Sequence, residues 1–231
     1  MQETDFVGGN VTIPHKEKIY QLLEHVTPEA QKLKAVNTLY WERGQLIGHN
    51  TDGYGFITHL KHSVDIDLDK TDKVLVFGAG GAARPIIAAL ISEGVTEIII
   101  ANRTIERAKN LSADLKSETG NLKPIGWEKV SEHLQDADLI INTTSLGMDG
   151  QPALEIEFDL ISPSATVYDI VYAPLETDLL VQAAAKGAST IDGLGMLLHQ
   201  AVPGFEKWFG RKPKVTAELR NVIISDLEQN S

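Results

Sequence analysis

A chain of 231 residues exceeds the usual size of one compact domain and leaves room for two cores. Its 21 basic and 32 acidic residues give a net charge of -11, which opposes non-specific nucleic-acid binding and requires a local basic site for any anionic ligand. There is no cysteine, which excludes disulfides, thiolate metal sites and cysteine nucleophiles; the first residues, MQETDFVGGN, do not read as an export signal, and no long uncharged apolar run occurs, so a soluble cytoplasmic protein with no nucleic-acid or membrane partner is expected.

Residues 1 to 60 are irregular. Short apolar pieces around Phe6 to Val11, Val36 to Trp41 and Leu46 to Ile47 suggest part of an α/β domain. The pattern changes near residue 70. From Lys73 onward the order is strand KVLVF, a Gly-rich turn, an apolar helix from Gly81 to about Glu93, strand EIIIA, polar ANRT, and an amphipathic helix from Thr104 to about Lys116. Weaker strands follow at LKPIG, DLIIN and ATVYDIV, with helical EKVSEHL after the first and LETDLLVQAAAKG after the third, and STID reads as a short last strand. Two helices close the chain. The first, GLGMLLHQAVPGFEKWFG, is apolar nearly all round and is expected to be buried; Pro213 can open the second. The alternation predicts an α/β fold: a Rossmann-type doubly wound parallel sheet over residues 52–192. A second α/β unit, 1–51 with 193–231, would bind substrate, with the ligands in the cleft between the two.

Gly78-Ala79-Gly80-Gly81-Ala82-Ala83 follows an apolar strand and opens a helix, the context that a dinucleotide fingerprint G-x-G-x-x-G/A needs. Gly78 permits the tight turn, Gly80 lets a pyrophosphate approach the backbone, and Ala83 lets the helix pack closely on the sheet. A glycine turn without a ligand is the plain alternative, and the flanking strand and helix favour binding. An NAD site usually places an acid at the end of the second strand for the ribose 2'-hydroxyl. Asn102-Arg103-Thr104 stands there instead. With Arg107 one helical turn on, these donors suit a 2'-phosphate, so NADP is the expected cofactor. Arg84 reads equally as a pyrophosphate contact and as a solvated residue. His59 and His62 share a helix face, but no third ligand is suggested and no metal site is expected.

Outside that unit lie Asn10-Val11-Thr12-Ile13-Pro14-His15-Lys16, Ala35-Val36-Asn37-Thr38, Asn50-Thr51-Asp52-Gly53 and a segment from Gly193 to Gln200. Taken alone, a lysine after a proline is a solvated first-turn residue and an Asp before Gly is a turn former. Together with GAGGA, NRTxxRA, NTTSxGM and YxPxxT, these runs appear in the order found in shikimate dehydrogenases, and the chain resembles that family from residue 8 to about 210.

The resemblance implies reversible reduction of 3-dehydroshikimate to shikimate with NADPH, a step of chorismate and aromatic amino acid biosynthesis. It carries over Lys16 and Asp52 as catalytic residues, with Lys16 acting either as the proton donor or as an electrostatic and binding group. Thr12, Asn37, Gln200 and Tyr172 carry over as substrate contacts. Gly78, Ala79, Gly80, Gly81, Ala82, Asn102, Arg103, Thr104, Arg107, Thr143 and Gly193 carry over as the NADP site. The family begins with a strand, a serine-rich turn like SxSxSP and a helix, which do not precede Asn10 here. On that comparison the substrate unit is truncated, contacts to the substrate carboxylate are missing, and an unpaired sheet edge invites homo-oligomerisation. The alternatives are an NADP-binding remnant with impaired turnover and a quinate/shikimate dehydrogenase.

Overall fold

Two sheets, each built from its own stretch of chain, organise the molecule. A computed structural model describes residues 6–12, 14–115 and 121–230. The first stretch runs β1 (Gly8–Asn10), α1 (Lys16–Leu22), β2 (His25–Val26), α2 (Pro28–Leu33), β3 (Thr38–Glu42) and β4 (Gln45–His49). Its strands form a mixed sheet in the order β1-β3-β4-β2. β1 pairs antiparallel with β3 alone, through Gly8 with Tyr40 and Asn10 with Thr38. Because Val11 donates its N–H to Asn37, alternation along the strand turns the N–H groups of Gly8 and Asn10 away from β3, and among the described residues β1 is an open edge.

Helix α3 (Asp52–Ser63) leads into the second stretch: β5 (Val74–Phe77), α4 (Ala83–Ser92), β6 (Glu97–Asn102), α5 (Ile105–Leu115), β7 (Asn121–Gly126), α6 (Ser131–Leu134), β8 (Leu139–Asn142), β9 (Thr166–Asp169), α7 (Asp178–Ala185) and β10 (Ser189–Ile191). These six strands are all parallel, in the order β10-β9-β8-β5-β6-β7. The order reverses between β5 and β8, the switch point at which doubly wound sheets open a crevice beyond their carboxyl ends. Both faces are covered. Val74, Val76, Ile98 and Ile100 pack beneath α3 and α4 with Phe56, Leu60, Ile86 and Leu90. Leu75, Phe77, Ile99 and Ile140 pack the other way, against Leu134, Leu179 and Ala183. Helix α4 starts later than the apolar pattern suggests, because Gly81 and Ala82 remain in the turn.

Helix α8 (Leu194–Phe209) returns the chain to the first sheet, and α9 (Ala217–Asn230) follows it. The expectation that α8 is buried all round is corrected: Phe205 and Phe209 are 40% and 58% exposed. What it does bury lies against α3 and the first sheet. A side chain on Gly55 of α3 would come within 2.8 Å of the Gln200 N–H and the Met196 carbonyl, so the two helices touch backbone to backbone. Trp208 adds an indole hydrogen bond of 2.7 Å to the Leu39 carbonyl of β3. Pro213 does not open α9; Thr216 stands before it, its hydroxyl accepting the Leu219 N–H at 3.2 Å. Among the described residues no helix is long and apolar enough to cross a membrane.

Candidate active site

Where β1 ends, the His15 N–H closes on the Thr12 carbonyl at 2.9 Å and the chain turns into α1, of which Lys16 is the first residue. The Lys16 carbonyl then accepts the Val36 N–H at 3.0 Å, which brings that turn beside Asn37. Asp52 is the first residue of α3 and is buried. Its N–H is taken by Asn50 Oδ1 at 3.0 Å, fixing the start of the helix. The Lys16 ammonium donates to Asp52 Oδ2 at 2.7 Å, with the lysine side chain 26% exposed.

Asn37 is the hub of this cluster. Its amide nitrogen donates to Asp52 Oδ1 at 2.8 Å, Thr51 Oγ1 at 3.0 Å and Gln200 Oε1 at 3.4 Å. Its amide oxygen accepts from the Thr38 hydroxyl at 2.8 Å and the Thr51 N–H at 2.9 Å. Both ends of the amide are therefore used inside the protein. The arrangement suits Asn37 to hold Asp52, while the Lys16 side chain is partly exposed and Gln200 is half-buried. Thr51, Thr38, Asn50 and Asn10, whose amide reaches the Asn37 carbonyl at 3.3 Å, were not singled out as functional by sequence; they sit in the same motif runs and buttress Asn37. Thr12 is exposed at the same turn.

The turn after β5 shows two kinds of glycine. Gly78, at φ +101°, lies under the loop after β8: a Cβ there would meet Thr143 Oγ1 at 2.8 Å and Thr144 Cγ2 at 2.9 Å. Gly80 and Gly81 face open space, and a Cβ on either would meet nothing within 4 Å. Among the described residues nothing fills the space beside Gly80 and Gly81 and no side chain caps the first N–H groups of α4, so this backbone fits the approach of a phosphate. Ala79 and Ala82 complete the turn. The Arg84 guanidinium pairs with Asp114 of α5 at 2.6 Å in an exposed position.

At the end of β6, Asn102 donates to the Thr104 carbonyl at 2.8 Å and shapes the turn that presents Arg103. Arg103, Thr104 and Arg107 are exposed, and among the described residues neither of these guanidinium groups has an ion-pair partner. Thr143 uses its hydroxyl on the Phe77 carbonyl at 2.6 Å, tying the loop after β8 to the glycine turn.

Among the described residues Tyr172 makes no hydrogen bond to the Lys16 cluster. It lines a cleft of about 810 Å³ with Asp192, Leu180, Arg220 and Ile224, bordered by α9. Arg220 closes that border by a two-pronged pair with Asp192 at 2.6 and 3.2 Å. Gly193 follows, where a Cβ would sit 2.1 Å from the Ile170 carbonyl, so the need for glycine there comes from the protein's own backbone. His59 and His62 both stack on His199, and His59 Nδ1 is hydrogen-bonded to the Tyr168 hydroxyl at 2.8 Å. Burial holds the His59 imidazole down at about 4.

One polar group here was not anticipated from sequence. Asp169, at the end of β9, is fully buried and accepts from Asn142 Nδ2 at 2.9 Å, the Val171 N–H at 3.0 Å and the Thr177 hydroxyl at 2.8 Å. Burial raises its carboxyl to about 6, against the lowering effect of these three donors. Its sequence signal is a single acid inside the apolar run ATVYDIV.

Residues 61–148 match the model "Shikimate / quinate 5-dehydrogenase", residues 1–39 "Shikimate dehydrogenase substrate binding domain" and residues 193–217 "Shikimate 5'-dehydrogenase C-terminal domain". A shikimate dehydrogenase (NADP(+)) of Azorhizobium caulinodans is 47% identical over 226 residues, covering 97% of this chain and 79% of that protein. The shikimate 5-dehydrogenase of Thermus thermophilus, solved with NADP(H) and shikimate, superposes with TM-score 0.81 at 34% identity over 97% of this chain and 79% of that one. Quinate dehydrogenase of Corynebacterium glutamicum, solved with NAD, superposes with TM-score 0.86 at 32% identity over 95% of this chain and 78% of that one.

Proposed function

The chain belongs to the shikimate dehydrogenase family, and from that premise we propose that it reversibly reduces 3-dehydroshikimate to shikimate with NADPH, in the cytoplasm, within aromatic amino acid biosynthesis. The observation that carries this reading is the Lys16–Asp52 pair at 2.7 Å, with the second carboxylate oxygen held by Asn37. NADPH, when bound, supplies the hydride. The Gly78–Ala83 turn would hold its pyrophosphate, and Asn102, Arg103, Thr104 and Arg107 its 2'-phosphate. Thr143 would support that site through the glycine turn and Gly193 through the backbone beside Tyr172.

The protein's own task is to place the ketone and move one proton. Lys16 gives an N–H proton to the oxygen that becomes the hydroxyl and is left as a neutral amine, which recovers a proton through its exposed side. In the reverse direction the same nitrogen accepts it. Asp52 fixes the ammonium and accepts from a substrate hydroxyl, while Thr12, Gln200 and Tyr172 orient the remaining hydroxyls. The missing acid after β6 and Arg103, which has no ion-pair partner among the described residues, favour NADP over NAD, and so favour this reading over a quinate dehydrogenase using NAD.

The open edge of β1 favours pairing with a second copy, which sedimentation over a concentration series tests. Initial rates with 3-dehydroshikimate and each cofactor test the reaction. NADPH-dependent turnover is expected. NADPH binding with no turnover would leave a cofactor-binding remnant, and NADH preference would overturn the cofactor assignment.

A further inference from the structure

We infer that Asp169 is a positioning residue for the cofactor side of the site: it locks the loop after β8 against the glycine turn, and through that loop it sets the affinity for NADPH. This rests on the cofactor reading above.

Phe77, Asn142 and Asp169 stand in one register row across β5, β8 and β9, and everything beyond the row is loop. Asp169 Oδ1 receives the Asn142 amide and so turns its oxygen onto the Thr144 N–H at 3.0 Å and the Thr144 hydroxyl at 2.7 Å. The Thr144 hydroxyl in turn takes the Leu146 N–H at 3.1 Å. Thr143 and Thr144 are the residues that a side chain on Gly78 would strike. An unbroken line of contacts therefore runs from Asp169 through Asn142 and Thr144 to the glycine turn. A second line runs from Oδ1 to the Val171 N–H, one residue before Tyr172, whose neighbour Gly193 bonds back to the Val171 carbonyl at 3.1 Å.

All the partners of the carboxyl are donors, so the ionised form fits them, although burial opposes it. The side chains on it are neutral, Asn142 from β8 and Thr177 from the start of α7, while Asp149, Glu176 and Asp178 on the same segments are exposed. An apolar residue here would avoid the cost of burying an acid and would leave Asn142 and Val171 unrestrained.

Asp169→Asn keeps the shape but leaves only a neutral amide oxygen at Oδ1, so the bonds from the Asn142 amide and the Val171 N–H lose their charge assistance, and it turns an NH2 toward the Thr177 hydroxyl. NADPH affinity is read by fluorescence titration, beside the melting temperature. At about pH 7.5 the variant is expected to bind NADPH about fivefold more weakly or worse, with no fall in melting temperature, because the buried ionisation is gone. At about pH 5.5, below the raised Asp169 value of about 6, the wild-type acid is itself protonated and the variant-to-wild-type ratio shrinks toward unity. Unchanged affinity with a lowered melting temperature, or a ratio independent of pH, would overturn the inference. Should the variant not fold, Thr144→Val cuts the same line at the hydroxyl that bonds Asn142 Oδ1 and takes the Leu146 N–H, and unaltered NADPH affinity in it overturns the inference equally. Absence of shikimate turnover in the wild type would defeat the proposed reaction without touching this binding measurement.

Discussion

Lys16 and Asp52 are each the first residue of a helix, and their side chains meet at 2.7 Å between α1 and α3. The start of α3 favours a carboxylate, and Asn37 holds the second oxygen, so the carboxylate is fixed from three directions. Replacing Lys16 by Ala leaves the fold and the glycine turn intact. The expected result is a fall in kcat of about 100-fold or more, with the NADPH dissociation constant unchanged. Asp52→Asn should lower kcat as well, and the double variant should be scarcely worse than either alone, because the two act as one unit. Steady-state rates beside NADPH titration measure both.

Arg103 is presented by a turn that Asn102 shapes and has no ion-pair partner among the described residues. Arg103→Ala should cut kcat/KM for NADP by about tenfold or more while leaving that for NAD nearly unchanged. Equal losses with both cofactors would place Arg103 away from the 2'-phosphate.

Gly55 lets α3 and α8 approach to backbone contact. A methyl group there meets the Gln200 N–H and the Met196 carbonyl, which cannot move as flexible side chains do. Gly55→Ala is expected to cost about 1–3 kcal/mol of stability and to raise KM for shikimate by shifting Gln200, with KM for NADP unaltered. Denaturant unfolding and the two Michaelis constants check this.

His59 and Asp169 titrate in opposite senses. The folded chain holds His59 near 4, below its ordinary 6.5, so the unfolded chain takes up the proton first. The stability it contributes is complete above pH 6.5 and is lost as pH falls toward 4. Asp169, raised to about 6 from 3.8, contributes stability present below 3.8 and lost as pH rises through 6. His59→Gln should therefore reduce the loss of stability on acidification, and Asp169→Asn should reduce the loss on raising pH. Unfolding midpoints across that range separate the two.

The second sheet is legible in the sequence because each strand is buried on both faces and each following segment changes period, as at KVLVF, EIIIA and DLIIN. The first sheet is much less so. Helix α1 buries no residue fully, and α3 places Gly53, Gly55 and His59 where a helical stripe would show large apolar groups. Small residues there serve close approach, which leaves no mark in hydropathy. Helix α8 misleads in the other direction: its apolar residues outnumber the surfaces available to cover them, and Phe205 and Phe209 stay exposed. At the site, Lys16 and Asp52 are recognisable through their motif runs, but their meeting is buttressed by Asn37, which lies between them in sequence and joins α3 and α8 in space, while its neighbour Val36 bonds Lys16 of α1. Asp169, Asn142 and Thr177 come from separate segments, so no spacing along the chain reports their contact.

The chain crosses between its two sheets along α3 and returns along α8, and Gly55 presses these crossings together. Asp52 rides on the first and Gln200 on the second, joined through Asn37. Lys16 is bonded to the first crossing as well, so the proton-handling groups form one connected unit spanning both crossings, and no group of that unit can be displaced without disturbing a bond to another.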